Sequence, residues 1–202
     1  EWKAVMDRVS QFELAMKAVD APEASAARIA VVSEGARLSI HGLTVKTASG
    51  EPIGSLPDLE LTPGDRVLVR GPSGAGKSSL CRAIAGIWPM GEGRIRLPWN
   101  ARVLALPQRP YFPMGTLRHA LTYPTPIQDV GDADVRAALA ASGLSHLADR
   151  LDEHGEWSTL LSGGEQHRVA VARALIRRPD VLLLDEAVST LEETEARDVY
   201  AL

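Results

Sequence analysis

The sequence has little that would suit an oxidising compartment, a bilayer or a polyanion. Cys81 is the one cysteine among 202 residues. No internal disulfide can form, and a reducing compartment is expected. No run of about 20 apolar residues occurs, so no helix here is expected to span a membrane. Basic residues number 22 against 26 acidic, a formal net charge of −4. That leaves no electrostatic case for nucleic acid as a bulk partner. Histidines at 41, 119, 146, 154 and 167 are scattered without metal-ligand spacing and read as surface or packing residues. Internal repeats, low-complexity tracts and a signal peptide are absent. The chain begins at Glu1 inside a predicted helix, without an initiator Met, and is read as a piece of a longer protein.

Hydrophobic residues make up 45% and charged residues 24%, enough to build one core and too apolar for a disordered tail. Trp2, Val5, Met6, Val9, Phe12, Met16 and Val19 recur at helical spacing, with charges on much of the other face. Residues 20–27, with Pro22, read as a linker. Strands are expected at 37–40, 43–47, 66–69, 103–106 and 181–184. Helices are expected at 77–87, 132–142, 144–151 and 164–177. The run 181–184 is short and wholly apolar, as a buried parallel strand is. Trp88, Trp99 and Trp157 read as packing residues, and Cys81 as a small buried one. Alternating strands and helices point to an α/β domain with a parallel sheet core.

Three motifs carry chemistry. Gly71, Pro72, Ser73, Gly74, Ala75, Gly76, Lys77 and Ser78 match G-x-x-x-x-G-K-[ST] between a predicted strand and a predicted helix that continues through Ser79. That is the context a phosphate-cradling loop requires. The glycines let backbone approach an anion, and N–H groups with the helix N-terminus behind them aim positive charge at it. Lys77 adds a full charge, and the Ser78 hydroxyl can ligate Mg²⁺. The second motif is the apolar run ending in Asp185-Glu186. By itself that is a strand and a solvated turn. Paired with the glycine loop, it brings a Mg²⁺ partner, Asp185, and a carboxylate, Glu186, that can polarise an attacking water. The third motif is Leu161-Ser162-Gly163-Gly164-Glu165-Gln166. Ser162 and Glu165 form a capping box, an ordinary helix start, but a Ser-Gly-Gly turn on a helix N-terminus is also a second anion site. Two anion sites for one nucleotide suggest that two chains share it.

On these motifs, in this order, residues 35–202 resemble ATP-binding cassette nucleotide-binding domains. The resemblance implies a P-loop NTPase fold with a parallel sheet core, an antiparallel β subdomain and a helical subdomain bearing the signature, incomplete at its C-terminus. It implies ATP and Mg²⁺ as ligands. ATP would be held by residues 71–79 of one domain and by Ser162, Gly163 and Gly164 of a second one, arranged head to tail. Gln108, in Leu106-Pro107-Gln108-Arg109, matches the family's Q-loop glutamine, a contact to Mg²⁺ or the lytic water. Lys77, Gln108 and Glu186 would be catalytic, and Ser78, Gln108 and Asp185 would hold the metal. Glu192, in Ser189-Thr190-Leu191-Glu192, stands where the family usually has an Asp. The segments 86–89, 91–95, 106–111 and 115–117 resemble subfamily D, the group with peroxisomal fatty-acyl transporters and their bacterial relatives. Residues 1–28 would then be a helix and linker from a membrane-spanning domain of the same polypeptide, and 29–202 the ATP-binding domain. Its place would be the cytoplasmic face of a bacterial inner membrane. Residues 43–47 lack the aromatic that stacks on adenine in the family, and no histidine follows His167 to match its switch histidine. Two alternatives stay open: a soluble ATPase of the same superfamily, and a nucleotide-gated interaction module without turnover.

Overall fold

The larger sheet is organised by one long strand with a fault in its middle. In the computed structural model, which describes residues 2–20 and 28–185, this strand is β2 (Leu38–Lys46). Leu38 and Ile40 are buried, and so are Leu43 and Val45. A period of two cannot place both pairs on one face, because 40 and 43 differ by an odd number. The pairing register shifts between His41 and Thr44, and Gly42 adopts a left-handed φ of 57°. This bulge resets the alternation. The two strands expected at 37–40 and 43–47 are therefore one bulged strand.

Around β2 lie β1 (Ala30–Ser33), β3 (Pro52–Ser55), β4 (Leu59–Leu61) and β5 (Gly91–Leu97). The order is β1-β5-β2-β3, with β4 also on β2. Only the β1–β5 pairing is parallel. At Gly93 a Cβ would lie 2.6 Å from the Gly42 oxygen, so the bulge and β5 close on each other only over a glycine. One side of this sheet packs on α2 (Lys77–Ile84) through Leu80, Ala83 and Ile84. The expected helix 77–87 stops three residues early. Gly86, at φ 76°, ends it, and the Ile87 N–H donates to the Arg82 carbonyl.

A second sheet is the parallel pair β6 (Val103–Leu106) and β9 (Val181–Leu184), in register from Val103–Val181 to Leu106–Leu184. Residues 66–69 enter no ladder. Val67, Leu68 and Val69 are exposed, and among the described residues β9 has no partner besides β6. The apolar pattern of 66–69 suits a buried strand, but in the structure these residues pair with neither β6 nor β9.

The helical part begins at the antiparallel pair of β7 (Gly115–Thr116) and β8 (His154–Gly155). It holds α3 (Leu117–Thr122), α4 (Asp132–Ala141), α5 (Trp157–Leu160) and α6 (Gly163–Arg177). The predicted helix at 144–151 is a 3₁₀ turn, Ser145–Arg150. Leu117, Leu121, Val135, Leu139, Leu144 and Trp157 are wholly buried in its core. α6 serves two cores. Val169 and Ala172 face the helical cluster, whereas Ala170 and Ala174 meet Leu106 of β6. Arg173 is buried among them, with its Nε donating to the Ala120 carbonyl and its guanidinium 5.0 Å from the Phe112 ring. Burial pushes this guanidinium down to about 10, so it remains a cation at neutral pH. Helix α1 (Trp2–Asp20) leaves Trp2, Met6, Val9, Phe12 and Leu14 exposed.

The indole N–H of Trp157 has no hydrogen-bond partner among the described residues, although the ring is fully buried. Its value is therefore volume. Trp157→Ala is expected to cost about 3–5 kcal/mol in urea unfolding, and Trp157→Phe much less. Equal losses for the two variants would show that the indole nitrogen matters.

Candidate functional site: a glycine loop facing a carboxylate

The loop 71–78 rests on β3. A Cβ at Gly76 would lie 2.7 Å from Ile53 Cγ2 and 3.0 Å from the Ile53 oxygen, and its φ is 79°. Glycine is thus required there on two counts. A Cβ at Gly54 would approach the Ala75 oxygen to 2.8 Å. Ile53 and Gly54 form the floor of the loop, and the sequence reading did not single them out. Their signal was a glycine inside a strand.

Gly76 is also the N-cap of α2, with no side chain capping the helix. The first N–H groups of α2 have no intrahelical acceptor and add the positive end of the helix dipole. Lys77 folds back across the loop, its Nζ donating to the carbonyls of Gly71 at 3.0 Å and Pro72 at 2.9 Å. Ser73, Ser78 and Ser79 continue the loop into the helix. The Ser78 Oγ donates to Asp185 Oδ1 at 2.7 Å, across 107 residues of sequence.

Asp185 reaches that position because β9 is held against β6. Its N–H donates to the Leu106 carbonyl at 3.0 Å. Gln108 leaves β6 two residues beyond Leu106, so the parallel pair delivers Gln108 and Asp185 to the same sheet edge, where such sheets bind ligands. A serine hydroxyl beside a carboxylate is an oxygen donor set suited to a hard divalent cation. The residues present therefore fit Mg²⁺, and the glycine loop with Lys77 fits the phosphates it would neutralise. Glu186 and the segment 189–192 lie outside the described residues.

The 162–164 turn opens α6. Ser162 Oγ accepts from the Glu165 N–H at 3.3 Å, and Glu165 Oε2 accepts from the Ser162 N–H at 2.9 Å, completing the capping box. Glu165 Oε2 also accepts from Ser162 Oγ at 2.7 Å, and Oε1 lies 3.0 Å from His146 Nε2. The Ser162 hydroxyl, its backbone N–H and then His146 hold the Glu165 carboxyl below its ordinary range. Gly163 has open space where a Cβ would stand, and Gly164 has only the tip of Arg168 at 3.7 Å. Neither has a positive φ. Among the described residues, nothing in the packing demands glycine at either position.

Other residues singled out in the sequence find the following places. Trp88 donates from Nε1 to the Lys46 carbonyl at 2.9 Å and packs against the larger sheet. Trp99 is 69% exposed and is not a packing residue. Cys81 is half-buried rather than buried. Among the described residues no cluster of His, Cys, Asp and Glu could hold a metal by itself, and no helix is long and apolar enough to cross a membrane. His41 pairs with Asp58 at the surface, whereas His167 is buried between two backbone carbonyls.

Burial pushes the Cys81 thiol up, and the negative charge of Asp185 adds to the effect. Asp185→Asn removes that charge. The thiol pKa should fall, more thiolate should be present at mildly alkaline pH, and alkylation of Cys81 should be faster than in the wild type. An unchanged rate would mean that the Asp185 side chain does not act on the thiol.

Comparison with known proteins agrees with this geometry. A model of the ABC transporter family matches residues 57–189. An ABC transporter ATP-binding protein of Synechocystis sp., described as uncharacterized, is 43% identical over 172 residues, covering 82% of this chain and 26% of that protein. ABC transporter D family member 2, chloroplastic, of Arabidopsis thaliana is 34% identical over 213 residues, covering 81% of this chain and 30% of that protein. The chain thus spans between a quarter and a third of these relatives. The solved structure of a bacterial Atm1-family ABC exporter with ATP bound superposes with a TM-score of 0.72 at 26% identity, covering 98% of this chain and 37% of that one. With its glycine loop, its facing carboxylate and its capped Ser-Gly-Gly turn, the chain belongs to the ABC transporter family, as an ATP-binding domain with subfamily D members among its relatives.

Proposed function

We propose that this domain binds and hydrolyses ATP to power a membrane transporter, two copies closing head to tail around two nucleotides. The contact of Ser78 Oγ with Asp185 Oδ1 carries the reading. It places a hydroxyl and a carboxylate together at the mouth of a phosphate-shaped loop, which structural packing alone does not require.

In this reading the backbone N–H groups of 71–79 and Lys77 cradle the phosphates, and Lys77 exchanges its two carbonyl partners for phosphate oxygens. Ser78, Asp185 and Gln108 would hold Mg²⁺, which would supply charge neutralisation to the phosphates. Glu186 accepts the proton of the attacking water. Catalysis then consists of positioning and charge stabilisation. The 162–164 turn of the second copy completes the site. The open space at Gly163 and Gly164 supports this, since a phosphate approaching from outside the chain would use it. The exposed apolar residues of α1 support a connection to a membrane-spanning domain of the same polypeptide at the cytoplasmic face of the inner membrane.

ATP turnover tests the assignment. Lys77→Ala should abolish binding of fluorescent ATP. Glu186→Gln should keep binding, lower turnover by about 10²–10⁴-fold, and leave an ATP-dependent dimer visible by size exclusion. Turnover of Glu186→Gln at the wild-type rate would remove Glu186 from its role.

A further inference from the structure

His167 lies in the second turn of α6 and is 7% exposed. Its ring reaches two carbonyl oxygens that belong to different elements. Nδ1 is 2.8 Å from the oxygen of Gly163, in the turn that opens α6. Nε2 is 2.9 Å from the oxygen of Gln108, in the segment that leaves β6. Packing does not explain the choice of residue, because a phenylalanine would fill this space without bringing polar atoms into it. Two carbonyl acceptors on opposite sides do explain it. Each neutral tautomer donates to one of them, and a ring with hydrogen on both nitrogens donates to both.

The position of this bridge matters. In the reading proposed above, Gln108 serves the nucleotide held by its own chain's loop, while the 162–164 turn serves the nucleotide held by the second copy. His167 therefore stands between the two sites to which one chain contributes. We infer that His167 is a positioning residue that locks the Gln108 backbone to the signature turn, so that the two half-sites on one chain move as a unit. The inference rests on the shared-nucleotide reading for its catalytic consequence, but the bridge itself is independent of nucleotide.

The test compares wild type, His167→Phe and His167→Gln in the whole chain. Phe keeps a ring and removes both nitrogens. Gln restores an N–H donor of similar reach. Backbone hydrogen exchange reports the bridge without any ATP. Phe should speed exchange both at 108–109 and at 163–166, and Gln should slow both again. In ATP turnover, Phe should lower kcat on the order of tenfold with unchanged affinity for fluorescent ATP, and Gln should recover it. A purely structural role would instead lower the melting temperature and leave exchange at the two segments uncoupled. Exchange that rises in one segment only, or a His167→Phe variant with wild-type kcat, overturns the inference. If wild-type turnover does not depend on Lys77, the reading of the ATP site fails, and the exchange comparison alone then supports or overturns the bridge.

Discussion

The hydrogen bond from Ser78 to Asp185 is where the separate parts of this chain have to agree. Ser78 is placed by the glycine loop, which fits only because Gly76 and Gly54 let it lie flat on β3. Asp185 is placed by β9, whose register is set against β6 and pinned by the Leu106 carbonyl. β6 is in turn held by Ala170 and Ala174 of α6. A shift of one residue in the β6–β9 pairing would turn Asp185 to the other face. The local geometry of each motif is therefore necessary but not sufficient. The site exists because the mostly antiparallel sheet, the parallel pair and the helical part are each in register with the next.

Electrostatics is arranged around this constraint with some economy. The ends that meet at the candidate site are of opposite sign: the α2 N-terminus and Lys77 on one side, Asp185 on the other. Lys77 meanwhile occupies two carbonyls, so its charge is held in place rather than left to search. At the 162–164 turn the capping box likewise holds a charged group in place. There Glu165 takes the hydrogen bonds of both Ser162 groups and an added contact from His146.

The glycine loop, the Ser162 capping box and the β9 strand were legible in the sequence because each is local. A turn, a cap and a short apolar run declare themselves within a few residues. The family was legible because three such motifs stand in a fixed order. What was not legible depends on partners distant in the chain. The β2 bulge arises at His41 and Gly42 because both halves of the strand must bury the same face, which is decided by β5. Residues 66–69 have the composition of a strand, but a strand also needs a ladder partner, and among the described residues none pairs with them. Ile53 and Gly54 matter only through a loop more than twenty residues on. His167 reads in the sequence as a surface or packing residue because its partner, the Gln108 carbonyl, is 59 positions away.

The contact between α6 and the β6–β9 pair is made on the helix side by alanines, Ala170 and Ala174, four residues apart and so on one stripe. Side chains this short leave almost no ridges to interlock. A seam of that kind keeps its contact area while one body slides across the other, and it forms no notch that fixes a single rest position. The helical part can thus be expected to shear along the sheet at low cost, with the polar ties at its edges, rather than its apolar packing, deciding where it stops.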